Sequence, residues 1–295
     1  MAVELRANES ADTQALRYQV AAAREEVRAE AAAAQQAAVE AAVAATVERM
    51  RVDAAYMSGV AHPENACRPW SVASPDVGLA AVFTCLDKDI TISDAIRAGV
   101  WWEAWMHRYL RDDLCASVAR SPPRPGPSRA DSGEVVLDIG ANIGTHTVAL
   151  AKMGWRVIAF EPQRQVYELL HANILVNGCT RVNAFHMGLS NEGGSLRMAR
   201  YSLAQGANMG GVPLGKEHTG ELVTVQKLDD VLAALGGPRV RLIKIDVEGH
   251  ERQVFEGGAA TLRRDRPIIY FEDHTGENQR WLRAFGYSIE RFAEG

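Results

Sequence analysis

One stretch of the sequence constrains the fold more than any other. Residues 135–147 run Val-Val-Leu-Asp-Ile-Gly-Ala-Asn-Ile-Gly-Thr-His-Thr, and their apolar beginning is typical of a central parallel strand. Gly140 and Gly144 bracket a turn in which a backbone without Cβ can bend sharply or approach a ligand. Helical spacing begins at Thr145 and ends at Gly154. A strand, a tight turn and a helix are therefore predicted, an arrangement that usually holds a nucleotide-type cofactor at the helix N-terminus.

The side chains of the turn indicate which cofactor. A dinucleotide fingerprint needs glycine at the first, third and sixth positions, which here hold Gly140, Asn142 and Thr145. Two of the three glycines are missing, so the backbone cannot easily approach a pyrophosphate. No lysine follows Gly144, as a P-loop would require. Asp138 suits a ligand with an ammonium group and no phosphate, such as S-adenosylmethionine, so these five residues are predicted to bind that cofactor.

A second apolar run, residues 156–162, predicts the next strand and includes Glu161 at its end. A carboxylate roughly 20 residues past the turn is placed to accept both ribose hydroxyls of a nucleoside. The alternative is an ordinary βαβ unit with an exposed glutamate, which is disfavoured because strand, turn, helix, strand and acid all occur in order. A third strand over 181–187 leads into residues 188–191, where Ser190 is expected to contact the adenine.

Three motifs in order carry a family resemblance. They are Asp-Ile-Gly-Ala-Asn-Ile-Gly at 138–144, Phe-Glu-Pro at 160–162 and Lys-Ile-Asp-Val-Glu-Gly-His-Glu at 244–251. Together they resemble the FkbM family of methyltransferases over about residues 86–273, and Glu103 also fits that pattern. The resemblance implies a Rossmann-like, S-adenosylmethionine-dependent O-methyltransferase that acts on hydroxyls of sugars, glycans or polyketide-type products. The spacing by itself implies only a doubly wound domain with a nucleotide-like ligand.

The acid/base residues are predicted at the tip of a fourth core strand over 240–246. Asp246 leaves the sheet where the methionine part of the cofactor should lie, so it is predicted at the methyl-transfer centre and as a cofactor contact. It could accept from the acceptor hydroxyl or from the cofactor ammonium. Glu248 and His250 are the other catalytic candidates. His250 is the better proton acceptor near neutral pH, although a surface histidine is an equally good interpretation, and His274 is a further candidate base.

No metal site is predicted. The competing account is a hard cation held through oxygen by Asp246, Glu248 and Glu272. The long irregular segment 201–220 is predicted to bind the acceptor, with a flexible hairpin excursion as the alternative.

Aromatic residues four apart precede the first core strand. Trp101, Trp105 and Tyr109 are predicted to lie on one side of a helix over 99–114. Core packing is the favoured interpretation of this stripe. The alternative is a lid over the methionine end of the cofactor.

The predicted fold class is α/β, with a Rossmann-like doubly wound mixed sheet of the class I methyltransferase type and a long helical N-terminal extension. The extension is rich in alanine and lacks glycine and proline. It is interpreted either as a coiled coil that could make the protein a homo-oligomer, or as a solvated helix without a catalytic role. The predicted parts are an Ala-rich extension at 1–58, a helical cap at 59–120, a Pro-rich linker at 121–133 and a methyltransferase domain at 134–295.

Composition narrows the partners and the compartment. The 295-residue chain has a net charge of -5 and no long Lys/Arg run, which argues against a nucleic-acid partner. No apolar stretch reaches the length of a membrane span, and no signal-peptide core is present. A small-molecule or glycan acceptor and a soluble, cytoplasmic location are therefore expected, unless an N-terminal anchor has been removed.

Three other functions are weighed against O-methyl transfer. A nucleic-acid or other N-methyltransferase would usually show an Asn/Asp-Pro-Pro-aromatic motif after the fourth strand, where this chain has Asp-Val-Glu-Gly at 246–249. A nicotinamide oxidoreductase is disfavoured by Asn142 and Thr145. A coiled-coil scaffold with a degenerate methyltransferase domain is disfavoured because the residues expected to bind cofactor are intact.

Overall fold

The structure is a computed structural model, and it describes residues 69–74, 77–84, 92–119, 133–199, 214, 220–273 and 276–290. All of these belong to one compact unit that spans residues 57–295. The predictions for the N-terminal extension, most of the Pro-rich linker, most of segment 201–220 and His274 lie outside the described residues.

The N-terminal part of the unit contains a hairpin as well as helices. Strands β1 (Pro69–Ser74) and β2 (Gly78–Phe83) pair antiparallel. Helices α1 (Ile92–Arg97) and α2 (Ala104–Ala119) follow. The segment predicted as a helical cap is thus a mixed β-hairpin and helix arrangement.

The remaining elements in the described parts of the chain include both strands and helices. In order they are β3 (Glu134–Ile139), α3 (Thr145–Lys152), β4 (Val157–Phe160), α4 (Arg164–Val176), β5 (Val182–Phe185), β6 (Gly188–Leu189), β7 (Gly194–Met198), β8 (Glu221–Gln226), α5 (Leu228–Ala234), β9 (Arg239–Ile245), α6 (Glu251–Gly257), α7 (Ala259–Asp265), β10 (Ile268–Phe271) and α8 (Glu277–Ala284).

Five of these strands form the central sheet, in the order β10-β9-β3-β4-β5, and every pairing within it is parallel. The chain runs outward from β3 to one edge and then returns to build the other half. This is the doubly wound order of Rossmann-like folds and confirms the predicted fold class. Antiparallel pairing occurs in the hairpin and in a small mixed sheet, β6-β8-β7. The point where the strand order reverses, beside β3, is where such sheets bind ligands.

Strand β3 is buried along its whole length, since helices cover both faces of a parallel sheet. Val135, Leu137 and Ile139 belong to the hydrophobic core on one face. Val136 belongs to the core on the other face, together with Leu110 from α2. Helix α2 is therefore a covering layer of the central sheet.

The aromatic stripe predicted before β3 is not formed. Helix α2 begins only at Ala104, so Trp101 lies before it and is buried in the core. Trp105 and Tyr109 are on the helix but are 38% and 41% exposed. Core packing is the role of Trp101 alone, whereas Trp105 lies in the wall of the cavity described below.

None of the helices in the described parts of the chain combines the length and the apolar character needed to cross a membrane.

Candidate functional site

A cavity of about 800 Å³ opens at the carboxyl ends of the central strands. Residues that follow β3, β4, β9 and β10 line it, as does the loop before α2. Among the described residues of its wall, Lys244 is the only lysine or arginine, against seven carboxylates. These acidic residues are Glu103, Glu161, Asp246, Glu248, Glu272, Asp273 and Glu290. Such a wall suits a ligand with positive charge better than a phosphate.

Glu161 lies at the end of β4, in the wall of the cavity, and is only 4% exposed. One carboxylate oxygen accepts the backbone N–H of Asn142 at 2.9 Å, and the other accepts that of Gln163 at 2.8 Å. Burial raises the pKa of Glu161 to about 7. The two backbone N–H groups oppose this shift, because they stabilise the ionised form. The backbone thus fixes the carboxylate while leaving lone pairs for ligand hydroxyls.

The turn between β3 and α3 adopts backbone conformations that favour glycine. Gly140 has a φ of 76°, and a Cβ there would lie 1.8 Å from the carbonyl oxygen of Asp246. Asn142 has a φ of 52°, and its side-chain oxygen accepts the N–H of Ile143 at 2.7 Å. Gly140, Asn142 and Thr145, the residues of this turn that were predicted to bind cofactor, all line the cavity, and their contact with a cofactor remains a prediction.

Gly144, by contrast, lies behind the cavity wall. Its φ is 87°, and an added Cβ would lie 2.5 Å from a terminal methyl of Leu170. Gly144 therefore allows α3 to pack closely on α4, and the structure does not place it in contact with a ligand.

Asp138 is also enclosed. Its side chain is fully buried, one oxygen accepts the hydroxyl of Thr147 at 2.5 Å, and the other lies 3.9 Å from the Lys244 ammonium. Asp138 is not in the cavity wall. The predicted direct contact of Asp138 with the cofactor ammonium is therefore not supported by this enclosed position, in which Lys244 is already the nearby cation.

Lys244 links the β3 turn to the tip of β9. Its Nζ donates to the carbonyl of Gly140 at 3.3 Å and to the carboxylate of Asp246 at 3.4 Å. Burial opposes its charge, but Asp246, Asp138 and Glu103 together raise the pKa of Lys244 overall. The sequence signal for this role was available: Lys244 interrupts an apolar run within a buried strand, which indicates a buried ion pair.

Asp246 and Glu248, the two carboxylates predicted to act in catalysis, both line the cavity. The Asp246 side chain is 42% exposed and faces Lys244. Glu248 has a φ of 54°, an uncommon conformation for a residue that is not glycine. Both carboxylates are therefore available to a ligand at the tip of β9.

His250 and Ser190 do not reach the cavity. The Nε2 atom of His250 lies 3.1 Å from the Ser190 hydroxyl, and both side chains are buried. The two predicted site residues are thus partners of each other and tie the start of α6 to the end of β6. Their predicted roles in catalysis and adenine contact are not supported by these positions.

A further pair in the site had no role assigned from sequence. Glu103, in the loop before α2, pairs with His146 in the first turn of α3, with 2.8 Å between Oε2 and Nε2. Both residues line the cavity. Glu103 has a φ of 51°, and helix α2 begins at the next residue, Ala104. The sequence pattern does not reveal this helix start.

Tyr270 of β10 also lines the cavity, and its hydroxyl donates to Asp113 of α2 at 2.5 Å. Within the described ranges, no group of three or more His, Cys, Asp or Glu side chains is placed to hold a metal ion. The alternative in which Asp246, Glu248 and Glu272 form one cation site is therefore not supported by their positions.

Comparison with known proteins decides the family. The model of the Methyltransferase FkbM domain matches residues 138–293, which is more than half of the chain. The chain belongs to this family. Its domain is therefore a methyltransferase domain, as the three sequence motifs predicted.

The relatives of this FkbM-domain chain share low sequence identity with it, and each comparison covers only part of the two chains. The 31-O-demethyl-FK506 methyltransferase FkbM of Streptomyces tacrolimicus is 31% identical over 193 residues, covering 53% of this chain and 74% of its own length. The hexuronic acid methyltransferase AglP of Haloferax volcanii is 30% identical over 149 residues, covering 50% and 59%. The crystal structure of Methyltransferase FkbM from Methylobacillus flagellatus KT shares 17% identity at a TM-score of 0.35, covering 61% and 49%.

Proposed function

We propose that this protein is an S-adenosylmethionine-dependent O-methyltransferase acting on a hydroxyl of a sugar, a glycan or a polyketide-type small molecule. The observation that carries the proposal is the position of Glu161. It is a buried carboxylate at the end of the second core strand, fixed by two backbone N–H groups and facing the cavity. This arrangement suits two ribose hydroxyls.

The residues of the cavity fit such a cofactor. Glu161 would hold the ribose, the turn around Asn142 would lie under the amino-acid part, and Met187 and Leu189 would lie beside the adenine. The acidic wall is complementary to a sulfonium and an ammonium and unfavourable for a pyrophosphate. A volume of about 800 Å³ is within the range of ligand pockets and leaves room for an acceptor.

When bound, S-adenosylmethionine supplies a methyl group that is already activated on a positively charged sulfur. The protein must then hold the acceptor oxygen in line with that methyl group. Asp246 is the proposed general base, because its carboxylate is accessible in the cavity and is held by Lys244. Asp246 would accept the proton of the acceptor hydroxyl as that oxygen bonds to the methyl carbon and the carbon–sulfur bond breaks, which leaves the sulfur as a neutral thioether. Glu248 provides a second carboxylate on the same loop.

The acceptor class is supported by the relatives and by the wall of the cavity. The name of one relative specifies a 31-O position and that of another a hexuronic acid, which supports an oxygen acceptor here. The excess of carboxylates disfavours nucleic acid. Met198, just before the segment predicted to bind the acceptor, and Leu214, within that segment, form an isolated β-bridge, and both line the cavity.

The proposal is tested by incubating the protein with methyl-labelled S-adenosylmethionine and separate acceptors: a neutral oligosaccharide, a uronic acid, a hydroxylated macrolide and a mixed RNA. The expected product is a labelled methyl ether of one of the hydroxyl compounds. Label found on RNA nitrogen, or no transfer to these compounds or to an extract of the source cells, would contradict it.

A further inference from the structure

Backbone strain is concentrated around the cavity. Four non-glycine residues of the described ranges have a positive φ near 50°: Glu103, Asn142, Glu248 and Arg266. The first three line the same cavity. Such conformations persist where surrounding contacts enforce them, and they cluster at ligand sites. Two hydrogen bonds in the turn hold Asn142 in its positive-φ conformation. Glu103 lies outside that turn, so its conformation has a different origin.

Only one of the two carboxylate oxygens of Glu103 has a hydrogen-bond partner among the described residues. Its Oε2 atom contacts His146, which is 4% exposed, and its own side chain is 28% exposed at the cavity wall. No hydrogen bond joins its other oxygen to any described residue. The buried histidine therefore fixes the carboxylate while one oxygen remains directed to an incoming ligand.

The electrostatic surroundings make Glu103 a better cation partner than a base. Burial alone would raise its pKa, but the hydrogen bond and charge of His146, together with Lys244, hold the pKa of Glu103 below its usual value. A carboxylate that stays ionised at neutral pH is a weak proton acceptor. It binds an ammonium group strongly through charge-assisted hydrogen bonds.

Two carboxylates thus flank the same turn. Glu161 is tied to Asn142, and Glu103 is tied to His146, four residues further along. A ligand with hydroxyls at one end and an ammonium at the other matches this pair. Asp138 is less accessible to the ammonium, because its side chain is fully buried outside the cavity wall, with Thr147 and Lys244 beside it.

We propose that Glu103, positioned by His146, binds the ammonium group at the amino-acid end of S-adenosylmethionine. This inference rests on the proposed function. It assigns Glu103 a binding role in place of Asp138, whose role becomes that of holding Lys244.

Ligands with and without the amino-acid end test this assignment. S-adenosylmethionine and S-adenosylhomocysteine carry the ammonium, whereas 5′-methylthioadenosine keeps the ribose and adenine without it. Calorimetric titration of Glu103→Gln should show a loss of about tenfold or more for the first two ligands. Its affinity for methylthioadenosine should stay within about twofold of the wild type, which also shows that the variant is folded.

Two control variants separate the possible outcomes. Glu161→Ala should weaken all three ligands, because all carry the ribose, and Glu277→Gln, 75% exposed on α8, should change none. An equal loss of all three ligands in Glu103→Gln, or no loss at all, would overturn the assignment of Glu103. A wild-type protein that binds none of the three would instead contradict the proposed function itself.

Discussion

The carbonyl oxygen of Asp246 lies 1.8 Å from the point that a Cβ on Gly140 would occupy. The backbone N–H of Asp246 also donates to the carbonyl of Ile139 at 3.0 Å. The turn that is proposed to carry the cofactor and the loop that carries the proposed base are therefore in direct backbone contact. This contact fixes the distance between the two functional parts of the site.

Gly140→Ala should disrupt this contact. The positive φ alone costs an L-residue about 1–2 kcal/mol, and the clash with the Asp246 carbonyl adds a packing cost of similar size. Gly154→Ala is the matched control, because Gly154 has a φ of 90° and nothing within 4 Å of an added Cβ. Urea unfolding should show Gly140→Ala to be less stable than this control by roughly 1–3 kcal/mol. Equal stabilities would mean that the contact is not tight.

Cofactor affinity should depend on the ionisation of Glu161. The carboxylate must be ionised to accept both ribose hydroxyls, and burial raises its pKa to about 7. The binding form is therefore fully present above that pH and is lost below it, by about tenfold in affinity for each pH unit. Calorimetry between pH 5.5 and 8.5 measures this slope. Glu161→Gln should bind more weakly at pH 8.5 and show no such slope; the same slope in that variant would assign the effect to another group.

Asp246→Asn should lose most of the turnover while keeping its affinity for the cofactor. Loss of a general base typically costs a factor of about 10²–10⁴ in rate. The matched control is Asp112→Asn on α2, whose side chain is 58% exposed. The proposed mechanism uses no metal, so a chelator should leave the wild-type rate unchanged. Near-full activity in Asp246→Asn would contradict its assignment as base, and loss of wild-type activity with chelator alone would contradict the metal-free mechanism.

His250→Ala should affect stability and not chemistry. It leaves the buried Ser190 hydroxyl without this partner, at a cost of about 1–3 kcal/mol in the free energy of unfolding. At a temperature where the variant is fully folded, kcat and its pH profile should match the wild type. A loss of the basic or acidic limb of that profile would return His250 to the list of catalytic residues.

Removal of residues 1–58 should leave cofactor binding intact. The described cavity wall consists of residues from Ile92 onward, and the family match lies within residues 138–293. A chain beginning at Gly59 should therefore bind S-adenosylmethionine with an affinity within about twofold of the full chain. Sedimentation of both chains would show whether the extension sets the oligomeric state. A folded but non-binding truncated chain would place the extension in the site.

The parts of the site that were predictable from sequence are local ones. The β3 strand, its turn and Glu161 lie within about 25 residues, and the apolar runs and glycines that specify them are adjacent in the sequence. The position of Asp246 followed from the end of a buried strand in the same way.

The contacts that could not be predicted from sequence join residues that are distant in the chain. The enclosure of Asp138 depends on Lys244, and the pairing of His250 depends on Ser190, 60 residues away. The order of the strands in the sheet determines which buried polar groups contact each other. The hydrophobic periodicity of the sequence does not specify that order. Helix α2 starts only after Glu103, whose φ is positive, and this backbone conformation has no signal in the sequence pattern.

The most direct test of the account is calorimetric titration of the full chain with S-adenosylmethionine, followed by competition with S-adenosylhomocysteine and with NADH. We expect saturable binding at one site per chain, displaced by S-adenosylhomocysteine, unaffected by NADH and weakened by roughly 2 kcal/mol or more in Glu161→Ala. The absence of binding by the folded wild-type protein, or displacement by NADH, would contradict the conclusion that this cavity is an S-adenosylmethionine site.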